Sequence, residues 1–527
     1  MRSLLFLGLL GTLLLLTLVG VLLWRRFYRD DPQNSVRRIF KNSAVPLALR
    51  LLVRALDLIF AVVLLDTLPG VNIGRYDLAA LLVVQYLGTI TEFGLGVLLT
   101  REVAREPDAA RRLFGVTLTL RWLLVAGAVP VTALLIGVYG LLGRFGIGEA
   151  ISGEGQLAIW ILMLTLVPAA YSGAVTALYN AHERMEVPAL VELLTALLSF
   201  AARISVLLLG FGILGIAWAA VGVATTTALL YRVLQGRTFF PPTLTWERAT
   251  LQALMPQALP LMFNNLLAVV FFRFDTFIIK AFGGGGGDLL VKQYNLAYQI
   301  LSVPMILPPV ITFAVFPLLA RRANQDRAGM ANAQNRTLQV LLWLAFPAAM
   351  GLSVLAPTLV RLFALSNAPT YVPISAHALA ILAWFLPLSF ANGLFQYVLI
   401  AIGEQRAITR AFLLGAAFNV AANLLLVPWF GIYAASGVTI GSEVVLLAVF
   451  WPLLRRGGLT PPLFALAWRP LLAALAMGAA MVGALRLGGW GGEVLAVVVA
   501  APVYAVALVL LKSGEHERKA ESGERRT

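Results

Sequence analysis

The stretch Tyr76-Asp77-Leu78-Ala79 opens a long apolar run, and 218 residues further on Tyr294-Asn295-Leu296-Ala297 opens a second one. Other marks fall close to the same register. Asp57 meets Asp275 at an offset of 218, Pro130 and Arg144 meet Pro347 and Arg361 at 217, and Pro168 and Gly212 meet Pro387 and Gly431 at 219. Gly212-Ile213 also stands beside Gly431-Ile432. Self-similarity of this kind predicts one structural unit present twice. Accidental prolines in register are the plain alternative, and the agreement of several marks outweighs it.

With 60% hydrophobic and 12% charged residues over 527 positions, the chain is too apolar for a water-soluble globule. Hydrophobic segments lie near 3–23, 44–66, 78–99, 113–140, 157–180, 187–209, 211–231, 251–281, 289–320, 337–364, 374–402, 408–428, 430–453, 467–487 and 491–512. Each reaches the roughly 20 residues needed to cross a ~30 Å hydrocarbon core. Hydrocarbon offers no partner to a backbone amide, so long non-alternating segments are predicted to be helices. The predicted fold is an all-α integral membrane protein of about fifteen spans, with two parallel six-helix repeats, two added C-terminal helices and one extra N-terminal anchor helix. Residues 1–41 hold the anchor and a basic loop, 42–234 the first lobe, 235–455 the second, 456–512 the two added helices and 513–527 a charged tail. Because six is even, both copies start on the same side of the membrane, related by an axis along its normal. Two such lobes enclosing a cleft near the midplane suit rocking alternating access, which points to a transporter rather than a channel.

The net charge of +15 sits between the apolar segments, where it reports orientation rather than nucleic-acid binding. One set of alternate loops carries 28 Lys and Arg; the other carries only Arg2, Arg75, Arg144 and Arg486. The basic side is expected to be the cytoplasm, which puts the N-terminus outside and the C-terminus inside. A signal peptide over 3–23 is the other reading of the first segment, opposed by Arg25, Arg26 and Arg29 directly after it.

Ionisable residues inside spans usually face a cavity or a partner. Arg50, Arg54 and Asp57 share one helix face at i, i+4 and i+7. Two guanidinium forks beside a carboxylate suit a phosphate or pyrophosphate. Equally, both arginines lie near the cytoplasmic end, where they can snorkel with Asp57 as partner. The corresponding helix of the second lobe carries Asn264, Asn265, Arg273, Asp275 and Lys280. In a continuous helix Asp275 is turned about 200° from Arg273. Asp275 shares its azimuth with Asn264 and its repeat position with Asp57, which makes it the cavity residue, while Lys280 is expected to snorkel to the outer surface.

Glu192, Thr195, Ser199 and Arg203 form a polar stripe at i, i+3, i+7 and i+11. An inter-helix seam closed by an ion pair is the favoured reading, and a cleft lining is the other. Gln85, Thr89 and Glu92 make a further stripe, as do Asn295, Gln299 and Ser302, and Ser389, Asn392 and Gln396; Arg121 fits either role. The substrate-contacting set is Arg50, Arg54, Asp57, Gln85, Asn264, Arg273 and Asp275. Coupling to protons or sodium needs a carboxylate, for which Asp57, Asp275 and Glu192 are the candidates. No cofactor is expected beyond such an ion.

There is no cysteine, and the three histidines are scattered, so a zinc site is not expected. Gly283 to Gly287 lack a following Lys-Ser/Thr, which removes a nucleotide-binding loop. No loop is long enough to fold a catalytic domain, and no enzyme or nucleic-acid function is expected.

Glu92-Phe93-Gly94-Leu95-Gly96, followed by Leu99-Thr100-Arg101-Glu102-Val103-Ala104-Arg105, resembles the end of the second core helix in bacterial polysaccharide transporters. Gly74-Arg75-Tyr76 and Asp275-Thr276-Phe277-Ile278-Ile279 do so as well. That family is the O-antigen flippase branch of the multidrug/oligosaccharidyl-lipid/polysaccharide exporter superfamily, and the similarity covers roughly 42–453. The first anchor departs from the family pattern. The resemblance implies two lobes around a cationic cavity and movement of an undecaprenyl-diphosphate-linked glycan to the outer leaflet, with Arg50, Arg54 and Arg273 meeting the diphosphate. The implied partners are the lipid-linked oligosaccharide, membrane lipids and polysaccharide polymerase or ligase proteins. A cation-coupled exporter of amphipathic small molecules is the alternative, and an envelope-assembly scaffold a third class. Lipid II flippases are a weaker match, because their Asp-Ala-Phe and Glu-Gly-Ala signatures are missing.

Overall fold

The computed structural model describes residues 52–282, 286–323 and 325–524, with side chains as far as 511. The expected anchor 3–23 and Arg50 lie outside the described residues. Every regular element among the described residues is helical. The first helices are α1 (52–67), α2 (Gly70–Arg105), α3 (Pro107–Arg144), α4 (Gly153–Ala181), α5 (Glu186–Leu208) and α6 (Gly212–Thr238). They are followed by α7 (Arg248–Arg273), α8 (Asp275–Phe282), α9 (Gly287–Leu301), α10 (Pro304–Arg322), α11 (Arg327–Ala364) and α12 (368–401). The last are α13 (Gln405–Arg456), α14 (Leu463–Leu485) and α15, whose apolar part is Gly489–Leu511. Eleven helical runs among the described residues are long and apolar enough to cross a membrane. Two of them, Arg327–Ala401 and Gln405–Arg456, are 75 and 52 residues long, each enough for two crossings.

The repeat read in the sequence is present in the backbone. Gly212 starts α6 with φ 62°, and Gly431 divides α13 into two arms with φ 58°, where a Cβ would be strained. Gly146 (φ 67°) corresponds to Leu365 (43°) at an offset of 219, and Glu183 (58°) to Gly403 (85°) at 220. The interruption of α4 at Leu164-Thr165 recurs in α12 at Ala383-Trp384, again 219 residues on. Six-helix units with joints at the same places are therefore built twice.

The chain forms two compact units. Unit 1 includes the described residues 52–138 and 151–265, and unit 2 includes 139–150 and those from 266 onward. The first part of α7, expected to belong to the second lobe, packs in unit 1, where Ala258 and Met262 lie against Phe93, Leu95 and Leu98. Elsewhere in unit 1, Leu99, Phe114, Tyr171, Val175, Leu178 and Tyr231 form a core between α2, α3, α4 and α6. Large apolar side chains on the outward faces, such as Leu134 of α3 and Leu425 of α13, stay exposed because lipid is their solvent.

Candidate functional site

Unit 1 contains a cavity of about 470 Å³ between α1, α4, α5 and α6. On α5 the spacing of Glu192, Thr195, Ser199 and Arg203 puts all four on one face, and that face lines the cavity. Asp57, Thr176, Thr227 and Tyr231 complete its polar lining. Arg203 Nη2 donates to Asp57 Oδ1 at 3.4 Å and Arg203 Nε to the Ser199 carbonyl at 3.2 Å, while the guanidinium lies 4.5 Å over the Phe60 ring. Thr195 and Thr227 hydroxyls lie 2.9 Å apart, and Thr176 donates to the Tyr231 hydroxyl at 3.1 Å.

The Arg203 and Asp57 side chains are 21% and 35% exposed. An ion pair this open contributes no more than about 1 kcal/mol, so an anion entering the cavity can take over the guanidinium. Glu192 is exposed to the cavity and does not supply the partner of Arg203. Asp57 and Glu192, named separately from the sequence, thus line the same space. Arg54 is exposed and lies outside the lining, and Gln85 and Asn264 are exposed elsewhere on unit 1. Tyr231 and Thr176 were not singled out in the sequence, although Thr227 and Tyr231 at i, i+4 carried the signal.

Glu92 and Arg121 build a lock rather than a cavity. Phe93 (φ 54°) and Gly94 (φ 70°) interrupt α2, and the freed N–H groups of Gly94 and Gly96 donate to the Glu92 carboxylate at 2.8 and 2.7 Å. The same carboxylate lies 3.3 Å from Arg121, which is buried and also donates to the Ala170 carbonyl. Small residues are required around it. A Cβ on Gly96 would fall 2.7 Å from Glu92, one on Gly173 2.6 Å from Arg121, and one on Gly94 2.6 Å from Leu261. This accounts for Glu-Phe-Gly-Leu-Gly as a helix break that caps itself.

In unit 2 the helix carrying Arg273 and Asp275 is not continuous, because α7 ends at Arg273 and α8 starts at Asp275. Only Phe274 intervenes, and its N–H still donates to the Val270 carbonyl at 3.2 Å. Asp275 is buried, accepting from the Thr276 N–H at 2.7 Å and from the Tyr294 hydroxyl at 2.5 Å. Arg273 is half-buried, donates to Asn295 at 3.4 Å and lies 4.8 Å over the Tyr298 ring.

Lys280 corrects the expectation that it snorkels outward. It is fully buried, 3.0 Å from Glu149 and 2.8 Å from Asp288. The end of α3 and the stretch that follows it, residues 139–150, reach it: Glu149 N–H donates to the Ala281 carbonyl, and Gly287 N–H donates to Glu149 at 2.8 Å. Two carboxylates remove the reason for the ammonium to seek water. One buried acid went unnoticed in the sequence: Glu443, on the second arm of α13, is 2% exposed. An acidic residue within the apolar run 430–453 was its visible signal. No group of three or more His, Cys, Asp or Glu that could hold a metal occurs among the described residues.

The helical fold is shared with solved membrane proteins. The chain resembles the lipid II flippase MurJ in an inward closed conformation with a TM-score of 0.69 and 12% identity, over 90% of this chain and 99% of that one. It resembles an inward-facing multidrug resistance MATE family transporter with a TM-score of 0.58 and 18% identity, over 77% and 95%. The family model described as "Polysaccharide biosynthesis protein" matches residues 39–323, and the MatE model matches 260–425. The chain belongs to the polysaccharide biosynthesis protein family and is a multi-pass membrane protein. A Klebsiella pneumoniae protein described as "Uncharacterized membrane protein in cps region" is 26% identical over 128 residues, which span 24% of this chain and 26% of that protein.

Proposed function

We propose that the protein flips a polyprenyl-diphosphate-linked oligosaccharide, an O-antigen, capsule or exopolysaccharide unit, across the bacterial cytoplasmic membrane by alternating access. Membership of the polysaccharide biosynthesis family carries the reading. The cavity of unit 1 supports it, because hydroxyl and tyrosine groups suit sugar hydroxyls and a weakly held guanidinium suits a phosphate. Arg50, Arg54 and Arg273 are the groups proposed to meet the diphosphate during passage, and Asp57, Gln85, Asn264 and Asp275 the other contacts. Polymerase or ligase proteins would receive the product.

The test is leaflet exchange of a fluorescent polyprenyl-diphosphate sugar by the reconstituted protein. Arg54→Ala and Arg273→Ala are each expected to cut exchange at least about tenfold, which is about 1.4 kcal/mol of lost interaction, with unchanged membrane abundance. Unchanged exchange in both removes the arginines from the path. The MatE match over 260–425 favours one second reading, a cation-coupled exporter of small molecules. Drug efflux without leaflet exchange would establish it instead.

The natural absence of cysteine makes the proposed orientation directly testable. Thr460 and Leu487 are exposed at opposite ends of α14. In intact spheroplasts an impermeant maleimide is expected to label Leu487→Cys and leave Thr460→Cys unmodified. The reverse pattern would invert the topology.

A further inference from the structure

The acids within the helical units, whether buried or partly open, differ in how their charge is balanced. Asp57 has Arg203, Glu92 has Arg121, and Glu149 and Asp288 share Lys280. Glu443 has only neutral partners among the described residues: the Asn392 side-chain amide donates to its Oε2 at 2.6 Å and to its own carbonyl at 2.8 Å, and Ser389 hydrogen-bonds it as well. An ionised carboxylate held in hydrocarbon by neutral groups alone is very costly, so the site is stable with its charge neutralised.

What neutralises it follows from the surrounding groups. The amide and hydroxyl that meet the Glu443 carboxyl are donors, whereas a metal ion needs several oxygens converging on one point. Neither donor carries a charge to balance a buried anion, so a proton is what neutralises the carboxyl. The Oδ1 of Asn392, beside the carboxyl, is buried without a hydrogen-bond partner.

Other polar groups lie on the same arm of α13 as Glu443. Thr439 is one turn earlier on the same face. Its hydroxyl lies 3.1 Å from that of Tyr298, whose ring packs edge-on at 5.0 Å against Tyr294, and Tyr294 donates to Asp275. From the first arm of α13, Asn419 donates to Ser442 at 3.0 Å, and Asn423 donates back to Asn419. The charged groups of this network are Asp275 of α8 and Arg273 of α7, the latter held over Tyr298. On α12, His377 contacts Tyr433, at the far end of the second arm of α13 from Glu443.

We infer that Glu443, held by Asn392 and Ser389, is a proton-binding site that gains a proton in one state of the transport cycle and gives it up in another. The carboxylate takes the proton from water admitted to unit 2 and returns it to water when the surroundings of α13 change. No bond other than O–H forms or breaks. Only the claim that this proton drives movement of a glycan rests on the function proposed above.

The experiment uses the full chain in phosphatidylethanolamine and phosphatidylglycerol vesicles, compared by infrared difference spectroscopy between acidic and alkaline buffer without sodium. The wild type is expected to show a protonated-carboxyl band that Glu443→Gln removes, that Glu443→Asp shifts, and that Asp57→Asn leaves in place. The aspartate variant serves if the glutamine variant does not fold. An unchanged band in Glu443→Gln, or an unshifted one in Glu443→Asp, overturns the inference, and so does a band that answers to sodium at fixed pH. In the leaflet-exchange assay a pH gradient is expected to speed the wild type severalfold and leave Glu443→Gln unaffected. Equal acceleration of the two overturns the coupling role. A wild type that moves no polyprenyl-diphosphate sugar but retains the Glu443 band would remove the flippase reading and uphold the proton site.

Discussion

Glu92→Ala is expected to destabilise unit 1 by about 3–5 kcal/mol, more than removal of its partner does. Arg121 is 1% exposed, and without Glu92 its guanidinium retains only the Ala170 carbonyl. Breaking a buried pair from this side costs about 3–5 kcal/mol. The substitution also frees the N–H groups of Gly94 and Gly96, which donate to the same carboxylate. Arg121→Met leaves a different remainder, since the Glu92 side chain is 37% exposed and keeps both amides. The smaller loss is therefore expected there, and the double variant is expected to recover most of the stability lost in Glu92→Ala. Thermal unfolding midpoints of the three variants in detergent decide the matter. Equal losses in both single variants would show that the helix break, and not the stranded cation, sets the cost.

Lys280→Met is the second large effect, expected at about 3–5 kcal/mol in unit 2. Methionine nearly matches the volume, but it leaves Glu149 and Asp288 facing one site, with Asp288 only 6% exposed. Replacing Asp288 by Asn in the same chain should restore part of the loss, because one negative charge goes with the positive one. Limited proteolysis between α3 and α4 is the local readout: the connection 145–152, held through Glu149, is expected to become cleavable in Lys280→Met. Protection equal to the wild type would show that Tyr139, whose hydroxyl donates to the Phe277 carbonyl at 2.9 Å, suffices to hold the segment.

These two residues mark the limit of what could be read beforehand. Helix positions were legible because hydrophobic length and glycine or proline punctuation are local properties, and the junctions at Gly212 and Gly431 lie where the repeat put them. The break before Asp275 was not legible, since Arg273-Phe274-Asp275 contains neither glycine nor proline. Lys280 looked like a snorkelling lysine because its partner Glu149 is 131 residues away in sequence. Within the candidate site, the α5 stripe was visible from spacing alone. That its arginine meets Asp57, 146 residues earlier, depends on packing and had no local sign.

The matched joints differ in their residues. At one of the three pairs both copies have kept glycine, Gly212 and Gly431, whereas Leu365 answers Gly146 and Glu183 answers Gly403. A bulky residue at such a bend costs about 1–2 kcal/mol, yet the bend persists. The main chain thus keeps a positive φ at matching joints even where only one copy has the residue that makes it easy.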